Sequence, residues 1–212
     1  MNILILGDVF GPPGMKVVTE KLPDIINNKK IDFVIINAEN SGDRGVGITK
    51  KNAEKLFEAG ADVITSGNHI WGEKEVLEFI ELEKRLLRPL NLITGSPGKG
   101  YGIFNSKNNK KVAVLNLMGN VFMKKSEDVF EAAKKFIKDN ELKKNADFIV
   151  VDMHGEITSE KMAMGYLFDG KATLVVGTHT HVPTSDYKIM EKGTAYQTDL
   201  GMCGDYSSVI GM

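Results

Sequence analysis

The stretch "TLVVGTHTHVPT", residues 173–184, opens as an apolar run and closes on two histidines two positions apart. Its centre, Leu174–Val176, reads as a strand buried on both faces, bounded by polar and turn-forming residues. The chain has only four histidines, so His179 and His181 are half of them. Other apolar runs of the same kind predict strands at Asn2–Leu6, Phe33–Asn37, Val63–Thr65, Val112–Leu117 and Phe148–Asp152. Amphipathic segments near Gly14–Asn27, Thr49–Ala59, Glu73–Leu82, Glu127–Lys138 and Ser159–Phe168 predict helices between them. Thr49 and Ser126 are candidate N-caps, and Gly60 stands where a C′ glycine belongs. Strands alternating with helices imply a largely parallel sheet in α/β layers. The pattern changes between Leu87 and Val114, where turns and antiparallel strands are expected. It changes again in "SDYKIMEKGTAYQT", 185–198, a hairpin around "EKG". Two sheets packed face to face with helices outside fit these breaks better than one open sheet.

Composition bounds the function. A chain of 212 residues supports one α/β domain with a sizeable core, or at most two small ones. A net charge of −1 supplies no basic footprint, which argues against duplex nucleic acid or an anionic membrane as partner but not against a small nucleotide. The single cysteine, Cys203, excludes an internal disulfide and a thiolate metal cage, and reads as a small buried hydrophobe. The start, "MNILILGDVFG", lacks the basic region of a signal peptide, and no apolar run approaches the roughly 18 residues of a membrane span. A cytoplasmic location is therefore expected. The end, "GDYSSVIGM", stops after an apolar step without a closing helix, so residues 1–212 are expected to be a single domain without its C-terminal segment.

The residues directly after each apolar run carry the chemistry. After the first comes "GDVFG" with Asp8, after the second "NAEN" with Glu39 and Asn40, and after the third "SGNH" with Asn68 and His69. Later runs lead into "DMHGE", with Asp152 and His154, and "GTHTH", with His179 and His181. Ligands of open α/β sheets bind outside the carboxyl ends of the strands, so five strands deliver carboxylates, amides and all four histidines to one rim. Residues one apart in an extended segment point the same way, which would bring His179 and His181 to one site. Asp152 precedes its loop and is left out of the ligand set. Singly, each residue has a plainer reading as a turn former, a cap or a hydrogen-bonded histidine; their shared position at strand ends favours a site. Oxygen and imidazole donors without sulfur suit manganese, iron or zinc. Two such ions about 3.5–4 Å apart can generate hydroxide and clamp both oxygens of an in-line displacement at phosphorus.

At these residues the chain resembles the calcineurin-like metallophosphoesterases, and more closely their YmdB-like branch. The likeness rests on "GDVFG" (7–11), "NAEN" (37–40), "SGNHIW" (66–71), "DMHGE" (152–156), "GTHTHVPT" (177–184) and "TDLGMCGDYSSVIGM" (198–212). Phe10 stands where the wider superfamily has a histidine, and Glu39-Asn40 where it has Gly-Asp; both departures match the branch. The resemblance implies a four-layer α/β/β/α sandwich. It implies that Asp8, Glu39, Asn40 and His181 hold one metal, and that Glu39, Asn68, His154 and His179 hold the other, with Glu39 bridging. It further implies two ions, iron or manganese, a bridging hydroxide as nucleophile, His69 as general acid, and 2′,3′-cyclic nucleotides as the substrate class.

Arg44, in "NSGDRGVG" (40–47), is a candidate contact to substrate phosphate or base, against a plainer reading as a solvated loop cation. "GPPGMK" (11–16) lacks the phosphate-loop pattern, and its prolines suit a helix start; "TGSPGKGYG" (94–102) reads as turns. The competing functions are a phosphomonoesterase or protein phosphatase on the same metals, and a regulatory nucleotide- or RNA-binding protein. A structural metalloprotein is disfavoured, because such sites are closed shells of Cys and His. The expected partner is a small-molecule phosphodiester, and self-association is left open.

Overall fold

The computed structural model describes residues 1–211 and shows a mixed α/β protein built on two main sheets. The first sheet has the order β1-β3-β4, with β1 Ile3–Leu6, β3 Phe33–Asn37 and β4 Val63–Thr65, all parallel. A short strand β2, Asp8–Val9, continues beyond β1. Helices α1, Gly11–Lys29, and α2, Lys50–Glu58, provide the crossovers. The second sheet has six strands in the order β5-β6-β7-β8-β10-β9. Its centre is the parallel set β6 Lys111–Met118, β7 Phe148–His154 and β8 Leu174–Thr178, linked by α4 Val129–Asp139 and α5 Thr158–Phe168. Its margins are antiparallel: β5 Tyr101–Asn105 against β6, and β9 Lys188–Ile189 against β10 Ala195–Gln197. Both antiparallel pairs fall where the sequence pattern breaks.

Three apolar cores hold these parts together. Val18 and Leu22 of α1 and Leu56 of α2 pack with Val34, Ile36 and Ile64 of the first sheet. Phe136 of α4 and Met164 and Phe168 of α5 pack with Leu115, Val151 and Val175 of the second. Phe33, Ile35, Val63, Val112, Val114 and Val150 form the third core, shared by the two sheets. A β-strand presents alternate residues to opposite faces. Both faces of each central strand are covered here, so β3 is buried along its whole length.

Local details depart from the sequence expectations. The segment expected as a helix over Glu73–Leu82 is a single turn, α3, Val76–Phe79, flanked by tight turns such as Leu77 N–H to the Lys74 carbonyl. The N-cap of α4 is Asp128, not Ser126: its carboxylate accepts from the N–H groups of Phe130 and Glu131. Ser126 instead accepts from the Asn120 side chain. Helix α1 begins at Gly11, three residues early, because Pro12 and Pro13 are tolerated in a first turn whose N–H groups lack helical partners. Thr49 caps α2 as expected, and Gly60 follows it with φ +113°. The segment 94–102 is turns up to the start of β5. Cys203 lies in β11, Met202–Cys203, packed against the first core, and burial pushes its thiol up to about 11. Among the described residues no helix is long and apolar enough to cross a membrane.

Ile35 is 1% exposed in the core between the sheets. Ile35→Ala is expected to lower the unfolding free energy by about 2–5 kcal/mol, read as a lower urea midpoint at unchanged m.

Candidate metal centre

The carboxyl ends of β3, β4, β7 and β8, with β2, meet at one end of the molecule. Asp8, Glu39, Asn40, Asn68, His69, His154, His179 and His181 all lie there. A cleft of about 440 Å³ opens over them, lined by Phe10, Glu39, Asn40, His69, His179 and His181.

At the centre stands the ring of His154, fully buried. Its Nδ1 lies 2.9 Å from Thr178 Oγ1, and that hydroxyl donates onward to Asp152 Oδ1 at 2.7 Å. Thr178 has one proton to give, so it accepts from His154 Nδ1–H, and the Nε2 lone pair is left facing the cleft. Around Nε2 stand Asn68 Oδ1 at 2.8 Å, Glu39 Oε1 at 3.1 Å and His179 Nδ1 at 3.1 Å. One proton on Nε2 can serve only one of these groups. A cation among them can be met by all four. Glu39, His154 and His179 each bring a ligand atom within 4.8 Å of the others.

A second cluster adjoins the first. His181 Nε2 is 3.0 Å from Asn40 Nδ2 and 3.8 Å from Asp8 Oδ1, while His181 Nδ1 donates to the Ile210 carbonyl at 3.0 Å. Among the described residues, three buried oxygens of the site, Asp8 Oδ1, Glu39 Oε1 and Asn40 Oδ1, have no hydrogen-bond partner. Such orphans are costly, and hard cations are what carboxylate and amide oxygens bind. The donor set therefore fits metal ions.

The electrostatics without a metal point the same way. Burial opposes a charged His154, yet the carboxylates of Glu39, Asp8 and Asp152 raise it to about 9. Burial also opposes the Glu39 anion, but His154 and the His69 N–H hold it near 2. Burial lifts Asp8 to about 6, against the pull of His154. His179 is depressed to about 4 by burial and by the charge on His154. The cluster calls for positive charge at one point and keeps the neighbouring imidazole neutral, which is the ligand form.

The backbone is shaped for this convergence. His179 and His181 approach one site for a reason other than strand alternation: β8 ends at Thr178, and the two residues adopt φ +104° and +64°. These left-handed conformations are strained for non-glycine residues. The strain is held by Asp8 Oδ2, which accepts the His179 N–H at 3.0 Å, and by Asp199, which accepts the Thr180 N–H at 3.3 Å. Asp199 is in turn fixed by the buried Lys161 ammonium at 2.7 Å. Gly67 is obligatory, since a Cβ there would collide with the His154 ring and with Glu39 Oε2.

Several participants had no sequence signal of their own. Glu156 Oε2 lies 3.1 Å from His179 Nε2, and Thr178 orients His154. Asp152 turns between the sheets, where it accepts from Asn37 Nδ2 at 3.0 Å, Thr65 Oγ1 at 2.5 Å and Thr178. His69 is half-buried at the rim; its N–H donates to Glu39 Oε2 at 2.8 Å, and burial depresses its imidazole. Arg44 lines the cleft, but its guanidinium is largely exposed and pairs with Glu73 at 3.2 Å.

The profile of the YmdB-like proteins matches residues 4–212. The chain belongs to the YmdB-like family. A 2′,3′-cyclic-nucleotide 2′-phosphodiesterase of Bacillus subtilis is 46% identical over 212 residues, covering 100% of this chain and 79% of that relative. The crystal structure of a hypothetical protein from Thermus thermophilus has TM-score 0.92 and 42% identity, covering 100% of this chain and 80% of that one. A structure described as a novel phosphatase from Mycoplasma pneumoniae has TM-score 0.88 and 41% identity, covering 98% and 74%.

Charged His154 contributes stability that is complete below its unfolded value near 6.5. That contribution is lost as pH rises through about 9. Chelator-treated protein should therefore lose thermal stability between about pH 6.5 and 9. A bound divalent cation replaces the proton and should abolish this loss, as thermal melts with and without Mn²⁺ across that range would show.

Proposed function

We propose that this chain is a metal-dependent phosphodiesterase of 2′,3′-cyclic nucleotides, with His69 as the proton donor. The observation that carries the reading is the convergence of His154 Nε2, His179 Nδ1, Asn68 Oδ1 and Glu39 Oε1 on one point beside two further buried oxygens, Asp8 Oδ1 and Asn40 Oδ1, without a hydrogen-bond partner among the described residues. The B. subtilis relative supports the substrate class.

Asp8, Asn40 and His181 would hold one ion, Asn68, His154 and His179 the other, and Glu39 both. Iron or manganese bound there would place positive charge against the phosphoryl oxygens and acidify water for attack at phosphorus. The remaining work falls to the chain. Thr178, Glu156 and the Ile210 carbonyl each take one ring nitrogen of His154, His179 and His181, so that the other nitrogen faces the cleft. His69 stands at the rim, outside the inner donor set, and gives its proton to the departing ribose oxygen. Burial favours its neutral form, and a bound phosphate anion favours the protonated form needed for that transfer. Arg44 remains a rim cation whose Nη2 pairs with Glu73 and whose remaining N–H groups can meet substrate.

The three apolar cores support a four-layer α/β/β/α arrangement for the same chain. The M. pneumoniae structure, described as a phosphatase, favours a second reading, monoester hydrolysis at the same donors. Turnover of bis-p-nitrophenyl phosphate against p-nitrophenyl phosphate separates the two.

His69→Ala should lose roughly 10²–10⁴-fold in kcat with metal content unchanged; equal loss of metal would make His69 a ligand. Glu39→Gln should empty the site, and full occupancy by elemental analysis would remove its bridging role.

A further inference from the structure

Between β6 and α4 the chain forms a cinched loop. Gly119 N–H donates to the His154 carbonyl at 2.9 Å, so the loop leaves the sheet beside a proposed ligand. Asn120 then closes it. Its Nδ2 donates to Ser126 Oγ and to the Glu127 carbonyl, both at 2.9 Å, and its Oδ1 accepts from Val129 N–H at 2.9 Å. Glu160 of α5 holds the Asn120 N–H at 2.9 Å. The tip, "VFMKK" at 121–125, is thereby thrown outward. Lys124 bends back and donates to the Asn68 carbonyl at 2.8 Å, and its charge helps to depress His69. The tip thus sits on the side of the cleft where His69 stands.

At that tip Phe122 is 85% exposed, with φ +60°. A left-handed conformation is unusual for an aromatic residue, and this one holds the ring out of every apolar core. The loop is anchored at its base by Asn120 and at its tip by Lys124, so the ring is presented by a fixed scaffold. Phe122 is two residues from Lys124, a span of at most about 7 Å of chain. If His69 serves a departing 2′ oxygen, as the name of the B. subtilis relative suggests, the nucleobase hangs from C1′, the carbon next to the one that carries that oxygen. Through Lys124 the tip stands on that same His69 side, which makes it the exposed aromatic surface available to such a base.

We propose that Phe122 is the platform on which the substrate's nucleobase stacks, with Lys124 tying the platform to the proton-donor side of the site. This rests on the nucleotide phosphodiesterase reading above. Stacking on one exposed aromatic face accepts any base, so the device selects for nucleotides over base-free phosphodiesters without choosing a sequence. It acts on the base, remote from the reacting atoms, and therefore on binding rather than on the chemical step.

The test compares wild type, Phe122→Ala and Phe122→Trp, each loaded with Mn²⁺, on 2′,3′-cyclic AMP and on ribose 2′,3′-cyclic phosphate, which lacks a base. Phe122→Ala should raise KM for the cyclic nucleotide about five- to tenfold with kcat kept. KM for the base-free compound should not follow, and Phe122→Trp should restore nucleotide binding. Equal KM values in wild type and Phe122→Ala, or a parallel rise with both substrates, would overturn this inference alone. No turnover of either substrate by the wild-type protein would overturn the phosphodiesterase reading, and this inference with it.

Discussion

The architecture depends on one unfavourable juxtaposition: electron-rich atoms of Glu39, Asn68 and His179 are aimed at a single nitrogen of the buried His154, at the floor of the cleft. Left alone, such a cluster repels itself. It is tolerable because positive charge at its centre, a proton or a metal, turns every one of those contacts favourable. The scaffold holds the acceptors in place while that charge comes and goes.

A polar layer buried between the two sheets keeps them there. Asp152 accepts from Asn37 of β3, Thr65 of β4 and Thr178 of β8, and so joins strands of both sheets just beneath the site. Ser66 and Asn116 make a parallel link, with the Ser66 N–H on Asn116 Oδ1 at 3.0 Å and Asn116 Nδ2 on the Ser66 carbonyl at 2.9 Å. Apolar packing alone fixes the spacing of sheets more firmly than their register. These hydrogen bonds fix the register, and the orientation of His154 is a direct result through Thr178.

The fold was legible in the sequence wherever an element is buried on two faces. Phe33–Asn37 and Val63–Thr65 were readable to the residue because solvent reaches neither side. The candidate ligands were legible because rare residue types recur directly after such strands. The failures have physical causes. The 73–82 segment has helical spacing, but its chain is drawn into turns: Gly47 and Gly72 approach so closely that no side chain fits between them. Asp128 displaced Ser126 as a cap because Ser126 is engaged by the loop that Asn120 closes. Glu156 and Thr178 were invisible because their role is defined by a partner distant in sequence, and the convergence of His179 and His181 arises from backbone conformations that no alternation pattern encodes.

The short strand that carries Asp8 is completed by Met202 and Cys203, and Phe10 donates its N–H to the Cys203 carbonyl at 2.9 Å. Segments far apart in the sequence must therefore meet before the Asp8 carboxylate can settle beside His179. Contacts of such separation form slowly and late. On the ribosome, a nascent chain can build its first sheet and its helices well before it can own a complete binding centre. Catalytic competence would thus wait for the 202–203 segment, leaving no partly made intermediate able to cut phosphodiesters.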